Sequence, residues 1–175
     1  MRKIIIFCLV FANMFAFSQI GVSQTASSNR WTYGGGLGVG FGSNSSFNIG
    51  ISPRVGYRVT EDFEAGLMGN FTYQTSNYYN STMFGIGPFA NYYFARNFYL
   101  GSTFQQYFVN YNIKQDNGYK FSTDESALYL GGGYMTQIGN GAYFQIGLMY
   151  NVLWNENKSI FSSSLMPSVG FVVGL

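Results

Sequence analysis

The chain has 175 residues, of which 9% are charged and 20% aromatic, with a formal net charge of +2. Ordinary soluble domains carry roughly 25% charged residues, so this composition leaves too little charge to disperse an exterior bathed in water. Without Arg2 and Lys3 the Lys/Arg and Asp/Glu side chains balance at seven each, so nothing in the charge points to a nucleic-acid partner.

Residues 1–18 read as a secretory signal peptide. Arg2 and Lys3 form its basic segment, Ile4 to Phe17 its apolar segment, and Ala16-Phe17-Ser18 a small-x-small cleavage site that leaves Gln19 first. Gly21-Val22-Ser23 is a second cleavage candidate. The apolar stretch of about 14 residues is short for a membrane-spanning helix. Cys8 lies inside it, so the mature chain has no cysteine for a disulfide, a thiol nucleophile or a thiolate metal site. Residues 19–30 form a short polar lead-in, and 31–175 form a β-barrel domain.

Strands are predicted at 31–41, 47–59, 63–74, 83–94, 98–111, 126–138, 142–154 and 163–175. Between Glu64 and Arg96 no side chain is charged, yet the polar residues from Gln74 to Thr82 break up any helical span. The stretch reads as two strands instead, with Phe63, Ala65, Leu67, Phe71 and Tyr73 on one face of the first and Phe84, Ile86, Pro88, Ala90, Tyr92 and Phe94 on one face of the second. An apolar outer face over a small or polar inner face is the pattern of a lipid-facing barrel wall. Each strand is long enough to cross the hydrocarbon layer at a tilt, which takes about 9–11 residues.

The connectors alternate strictly. Thr60-Glu61-Asp62, Ala95-Arg96-Asn97 and Gly139-Asn140-Gly141 are short; 42–46, 75–82, 112–125 and 155–162 are longer and polar. Short periplasmic turns and longer extracellular loops are the habit of outer-membrane barrels, so both termini are expected in the periplasm. A three-residue turn joins positions that share a face, and Val59 with Phe63, Phe94 with Phe98 and Ile138 with Ala142 are all apolar pairs for the outer face. Strand seven is expected to point Phe144, Ile146, Leu148, Tyr150, Val152 and Trp154 outward, and strand eight Leu165 through Leu175 at alternate positions. In strand five the same parity exposes Ser102 and Gln106 to lipid, unless a bulge resets it. Aromatics gather toward both strand ends, as in the interfacial girdles of membrane barrels. The predicted fold is therefore all-β, an eight-stranded antiparallel up-and-down transmembrane barrel.

Inside, the glycines of strand one leave room for Met68, Phe89, Tyr99, Tyr107, Tyr129 and Tyr143, enough to fill a barrel of this size. The only inward charges in the strands are Arg54, Arg58 and Glu64. Arg58 and Glu64 are expected opposite each other across the first turn, with Arg54 further up the same face, so that the carboxylate sits between two guanidiniums. The cluster is either a structural pair or a selectivity charge in a narrow lumen.

No histidine occurs anywhere, which removes the usual general base, a Ser–His nucleophile and any imidazole metal site. The chain is accordingly read as non-enzymatic, without cofactor or metal. Tyr78, Tyr79 and the 112–125 segment with Lys114, Asp116, Lys120, Asp124 and Glu125 are the candidate surface contacts for an extracellular ligand or surface. The same charges could meet lipopolysaccharide phosphates or a divalent cation.

Three stretches resemble the small outer-membrane β-barrel proteins of Gram-negative bacteria, porin-family or OmpA/OmpX-like. They are Ile51–Asp62 as second strand and turn, Gly85–Phe94 as fourth strand, and Val169–Leu175 as closing strand. The resemblance implies the outer membrane, its lipid and lipopolysaccharide as surroundings, and the barrel-assembly machinery as a partner for the last strand. It implies no catalytic residue. Such barrels usually end in an aromatic residue, whereas this chain ends in Leu175, leaving Phe171 as the nearest aromatic. The function expected is a structural, adhesive or surface-interaction role, with a narrow diffusion channel as the alternative and a lipid-modifying or small-ligand-binding barrel behind it.

Overall fold

A computed structural model describes residues 30–42, 46–113 and 120–175. The expected signal peptide, the expected lead-in as far as Asn29, Lys114 and Asp116 lie outside the described residues. Eight strands follow in order: β1 (Trp31–Gly42), β2 (Ser46–Arg58), β3 (Phe63–Thr75), β4 (Tyr79–Phe94), β5 (Phe98–Ile113), β6 (Lys120–Gly139), β7 (Ala142–Asn151) and β8 (Leu165–Val173). Each pairs antiparallel with its neighbours in sequence, and β8 pairs with β1, so the sheet closes into an up-and-down barrel. Closure leaves no sheet edge to satisfy where strands meet along their length.

Period-two alternation governs every wall. In β5, Tyr99, Gly101, Thr103, Gln105, Tyr107 and Val109 are buried while Leu100, Phe104 and Phe108 are exposed. No bulge interrupts this strand, so Ser102 and Gln106 do face outward as the parity required. Gln106 is satisfied there by its neighbours: it donates to Asp124 Oδ2 at 3.2 Å and accepts from Ser126 Oγ at 2.5 Å. Proline, which has no N–H to give, falls where pairing lapses. The β2–β3 register skips Ser52 and Pro53, and the β4–β5 register skips Gly87 and Pro88.

At the end of the barrel that carries the short turns, outward aromatics touch in sequence around the rim. Trp31 meets Tyr57 edge-on at 5.4 Å between centroids, Tyr92 stacks on Phe94 at 6.5 Å, Phe94 on Phe98 at 5.9 Å, and Phe98 meets Tyr134 at 5.5 Å. The core is two inward clusters. Tyr93, Tyr99 and Met135, with Tyr143 and Leu175, fill the turn end; Tyr107, Ala127, Tyr129 and Met149, with Ile160 and Phe161, fill the loop end.

Four expectations need correction. β6 begins at Lys120 rather than 126 and β5 runs to Ile113, so 112–113 and 120–125 of the expected 112–125 loop are strand, and β4 begins at Tyr79 rather than 83, which shortens the expected 75–82 loop. The walls are consequently unequal: β4, β5 and β6 have 16, 16 and 20 residues, β7 and β8 only 10 and 9. β7 stops at Asn151, whose Oδ1 accepts from Leu153 N at 3.1 Å and turns the chain off the wall. Trp154 is therefore not a girdle residue; its indole donates to the Phe161 carbonyl at 2.8 Å within the following loop. Leu175 does not continue the outer face of β8. Gly174 takes φ +95°, a left-handed value that redirects the chain, and Leu175 packs inward against the turn-end cluster.

Candidate functional site

Glu64, the second residue of β3, is wholly buried at 0% exposure. The register sets Arg58 opposite it on β2, as expected, but the side chains part. Arg58 swings out to donate to the Glu61 carbonyl at 3.3 Å, capping the turn. The charged partner of Glu64 among the described residues is Arg54, whose Nη2 lies 3.1 Å from Oε2 and 3.4 Å from Oε1. The two remaining oxygen positions are met by hydroxyls, Thr32 donating to Oε1 and Tyr93 to Oε2. With its oxygen toward the guanidinium, the Asn91 amide accepts from Arg54 Nη1 at 2.9 Å and donates to the Ala90 carbonyl at 3.2 Å. The Arg54 guanidinium also stands 4.9 Å over the Phe89 ring.

This cluster joins β1, β2, β3 and β4 across the interior. It exists because Gly56 leaves a gap: a Cβ there would fall on Glu64 Oε1 and 2.5 Å from Thr32 Oγ1. A charge pair so placed is stable only with its hydrogen bonds complete, and each carboxylate oxygen here has both a charged and a neutral donor. Alternation along the strands makes the inward placement of Arg54 and Glu64 readable from the sequence. Tyr93 and Asn91 carried no signal beyond strand parity, because their contacts come from a strand far along the chain.

The opposite end is covered by the segment between β7 and β8. Phe161 meets Tyr107 edge-on at 5.0 Å and Tyr129 at 6.5 Å. Glu125, an inward residue of β6, accepts from Ser159 Oγ and from the Ile160 N–H, each at 2.6 Å. A loop is thus strapped over the mouth by one carboxylate and two apolar side chains.

The candidate surface residues do not form one patch. Tyr78 is exposed, whereas Tyr79 turns to the inner rim, accepts from Gln74 Nε2 at 3.0 Å and faces the Tyr111 ring at 5.9 Å. Lys120 and Asp124 are exposed on β6, and Glu125 is committed to the strap. Around Asp124 the outward faces of β4, β5 and β6 are polar near the loop end, with Asn80, Thr82, Asn110, Asn112 and Ser122; Ser122 donates to Asn110 Oδ1 at 2.7 Å.

The strand pairing defines the class: a closed, eight-stranded antiparallel β-barrel with an apolar exterior. Among solved structures, the chain is similar to the crystal structure of Neisserial surface protein A, with 15% identity, 83% of this chain and 93% of that chain covered, and a TM-score of 0.45. No family model matches the chain, and no curated protein matches it.

Proposed function

We propose that this protein is a barrel of the bacterial outer membrane with a non-catalytic, surface-interaction role and no open pore along its axis. Support for the membrane begins with the exterior. Leu37, Val55, Leu67, Ile86, Leu100, Leu130, Ile146 and Val169 are all exposed, so apolar side chains encircle the barrel. Monomeric soluble proteins rarely expose contiguous apolar patches beyond a few hundred Å², and leaving each such side chain in water forgoes roughly 1.5–3 kcal/mol. The ring of aromatics at the turn end supports an interfacial position there.

The single observation that carries the non-conducting reading is the buried Glu64 cluster with its hydrogen bonds met, set beside Tyr99, Met135, Tyr143 and Leu175 across the turn end. The surface-interaction reading rests on the extra height of β4, β5 and β6, whose polar outward faces suit water rather than lipid. Purified protein in planar bilayers should give no steady single-channel conductance. Removing the tips of the β3–β4 and β5–β6 hairpins should abolish attachment of whole cells to their surface while leaving the barrel folded. Ohmic channels in the wild type, or attachment unchanged by the deletions, would reject the respective half of the reading.

A further inference from the structure

The barrel is sealed unevenly around its circumference. Seven of its eight strand pairings run along most of a strand, but β1 and β8 pair only from Tyr33↔Val173 to Gly36↔Gly170. Beyond that point Leu37–Gly42 of β1 and Leu165–Val169 of β8 have no partner strand on the facing side among the described residues. The inward glycines of β1 report the change directly. A Cβ at Gly34 would run into the Phe171 carbonyl and one at Gly36 would lie 2.6 Å from the Val169 carbonyl oxygen, while at Gly38 no heavy atom stands within 4 Å. Unpaired strand backbone facing hydrocarbon is costly, because no water is there to satisfy it.

Behind the gap lies a cavity of about 360 Å³, bounded by the seam residues Leu37, Val39, Met166 and Val169 and by the lumen residues Arg54 and Gln105. That is within the range of small-ligand pockets, roughly 300–1,000 Å³. The Glu64 cluster and Leu175 pack at the turn end of the barrel, and Phe161 lies over Tyr107 and Tyr129 on the β5–β6 side of the loop end. Gln105 is 2% exposed and donates to the Met68 carbonyl at 3.1 Å, yet its Oε1 has no partner, and neither has Arg54 Nε. Both atoms belong to side chains that line this cavity, and a buried acceptor and a buried donor without a partner are groups that an entering polar head would satisfy. The charge of Arg54 is already balanced by Glu64, so the complementary head is uncharged.

We infer that the β1–β8 gap is a lateral portal through which a single-chain amphiphile with an uncharged hydrogen-bonding head, of the monoacylglycerol or fatty-alcohol kind, reaches the lumen from the surrounding lipid. The head lies against Gln105 and Arg54, and the chain leaves between Leu37 and Val39 on one side and Met166 and Val169 on the other. The inference takes the barrel to sit in lipid, which heat-dependent gel migration of the same sample tests separately.

The probe is a monoacylglycerol carrying a diazirine near its head, mixed into phosphatidylcholine vesicles that hold the full barrel. Photolysis and peptide mapping should place adducts on Gln105, Met166 or Val169 in preference to the outward residues of β3 and β4. An excess of unlabelled monoacylglycerol should suppress that labelling at least fivefold, and phosphatidylcholine should not. Gly38→Trp fills the open space, and Gln105→Leu removes the acceptor; each should reduce lumen labelling at least fivefold in barrels that still shift on heating. Labelling spread evenly around the exterior, or equal suppression by phosphatidylcholine, marks ordinary boundary lipid and overturns the portal from the wild-type protein alone.

Discussion

Arg54 and Glu64 meet inside the barrel at 3.1 Å, with side-chain exposures of 7% and 0%. Removing one partner leaves the other as an unpaired buried charge, which costs about 3–5 kcal/mol in comparable sites. Glu64→Ala and Arg54→Ala should each shift the urea unfolding midpoint of the vesicle-inserted barrel downward by that free energy. The double variant Arg54→Met with Glu64→Leu should recover most of the loss, since a matched apolar pair needs no desolvation. Single variants that unfold like the wild type would show that the pair bears no such constraint.

Gly56 and Gly38 both face inward from neighbouring strands but differ in what surrounds them. At Gly56 a methyl would collide with Glu64 and Thr32, whereas at Gly38 it would meet nothing within 4 Å. Gly56→Ala should therefore destabilise by about 1–3 kcal/mol, the usual cost of overpacking, and Gly38→Ala should leave stability within about 0.5 kcal/mol of the wild type. Equal effects on the unfolding midpoint would contradict the crowding at Gly56.

The strap over the loop end hangs on Glu125. Its carboxylate takes two hydrogen bonds from Ser159 and Ile160, and bonds to charged groups contribute roughly 1.5–3 kcal/mol each. Glu125→Ala should raise the open population of residues 152–164 at least tenfold, read as faster limited proteolysis there, while the barrel still shifts on heating. Phe161→Ala should act in the same direction. Cleavage at the wild-type rate in both variants would mean the segment is held by other means.

Ala95 and Arg96 both adopt positive φ, at 48° and 66°, in the tight turn between β4 and β5. A left-handed conformation costs a side-chain-bearing residue roughly 1–2 kcal/mol, and glycine avoids it. Ala95→Gly should accordingly raise stability by about 0.5–1 kcal/mol in urea unfolding. A loss of stability would indicate that the glycine's unfolded-state freedom outweighs the relieved strain.

Strand alternation and turn parity made the wall legible, because an apolar outer face and a narrow interior enforce a period of two over long stretches. Val59 with Phe63 and Phe94 with Phe98 placed the turn end correctly for that reason. The loop-end extension of β6 is not legible as strand because Lys120, Ser122 and Asp124 are residue types that lipid-facing strands avoid. They form strand beyond the apolar belt, paired rung by rung with β5. The interior cluster was half legible. Parity put Arg54, Arg58 and Glu64 inside, but the departure of Arg58 to the Glu61 carbonyl is a rotamer choice that spacing does not encode. The return of Phe161 onto Tyr107 and the short β1–β8 seam were not legible at all, since both depend on where the ends of the sheet meet after closure.

The most direct test is to fractionate the envelope and run the outer-membrane fraction on a gel with and without boiling. A lipid-embedded closed barrel resists detergent because its strands are held by backbone hydrogen bonds around the whole circumference, so the protein should be found in that fraction and migrate differently before and after heating. A soluble periplasmic protein with one migration under both conditions would contradict the membrane barrel.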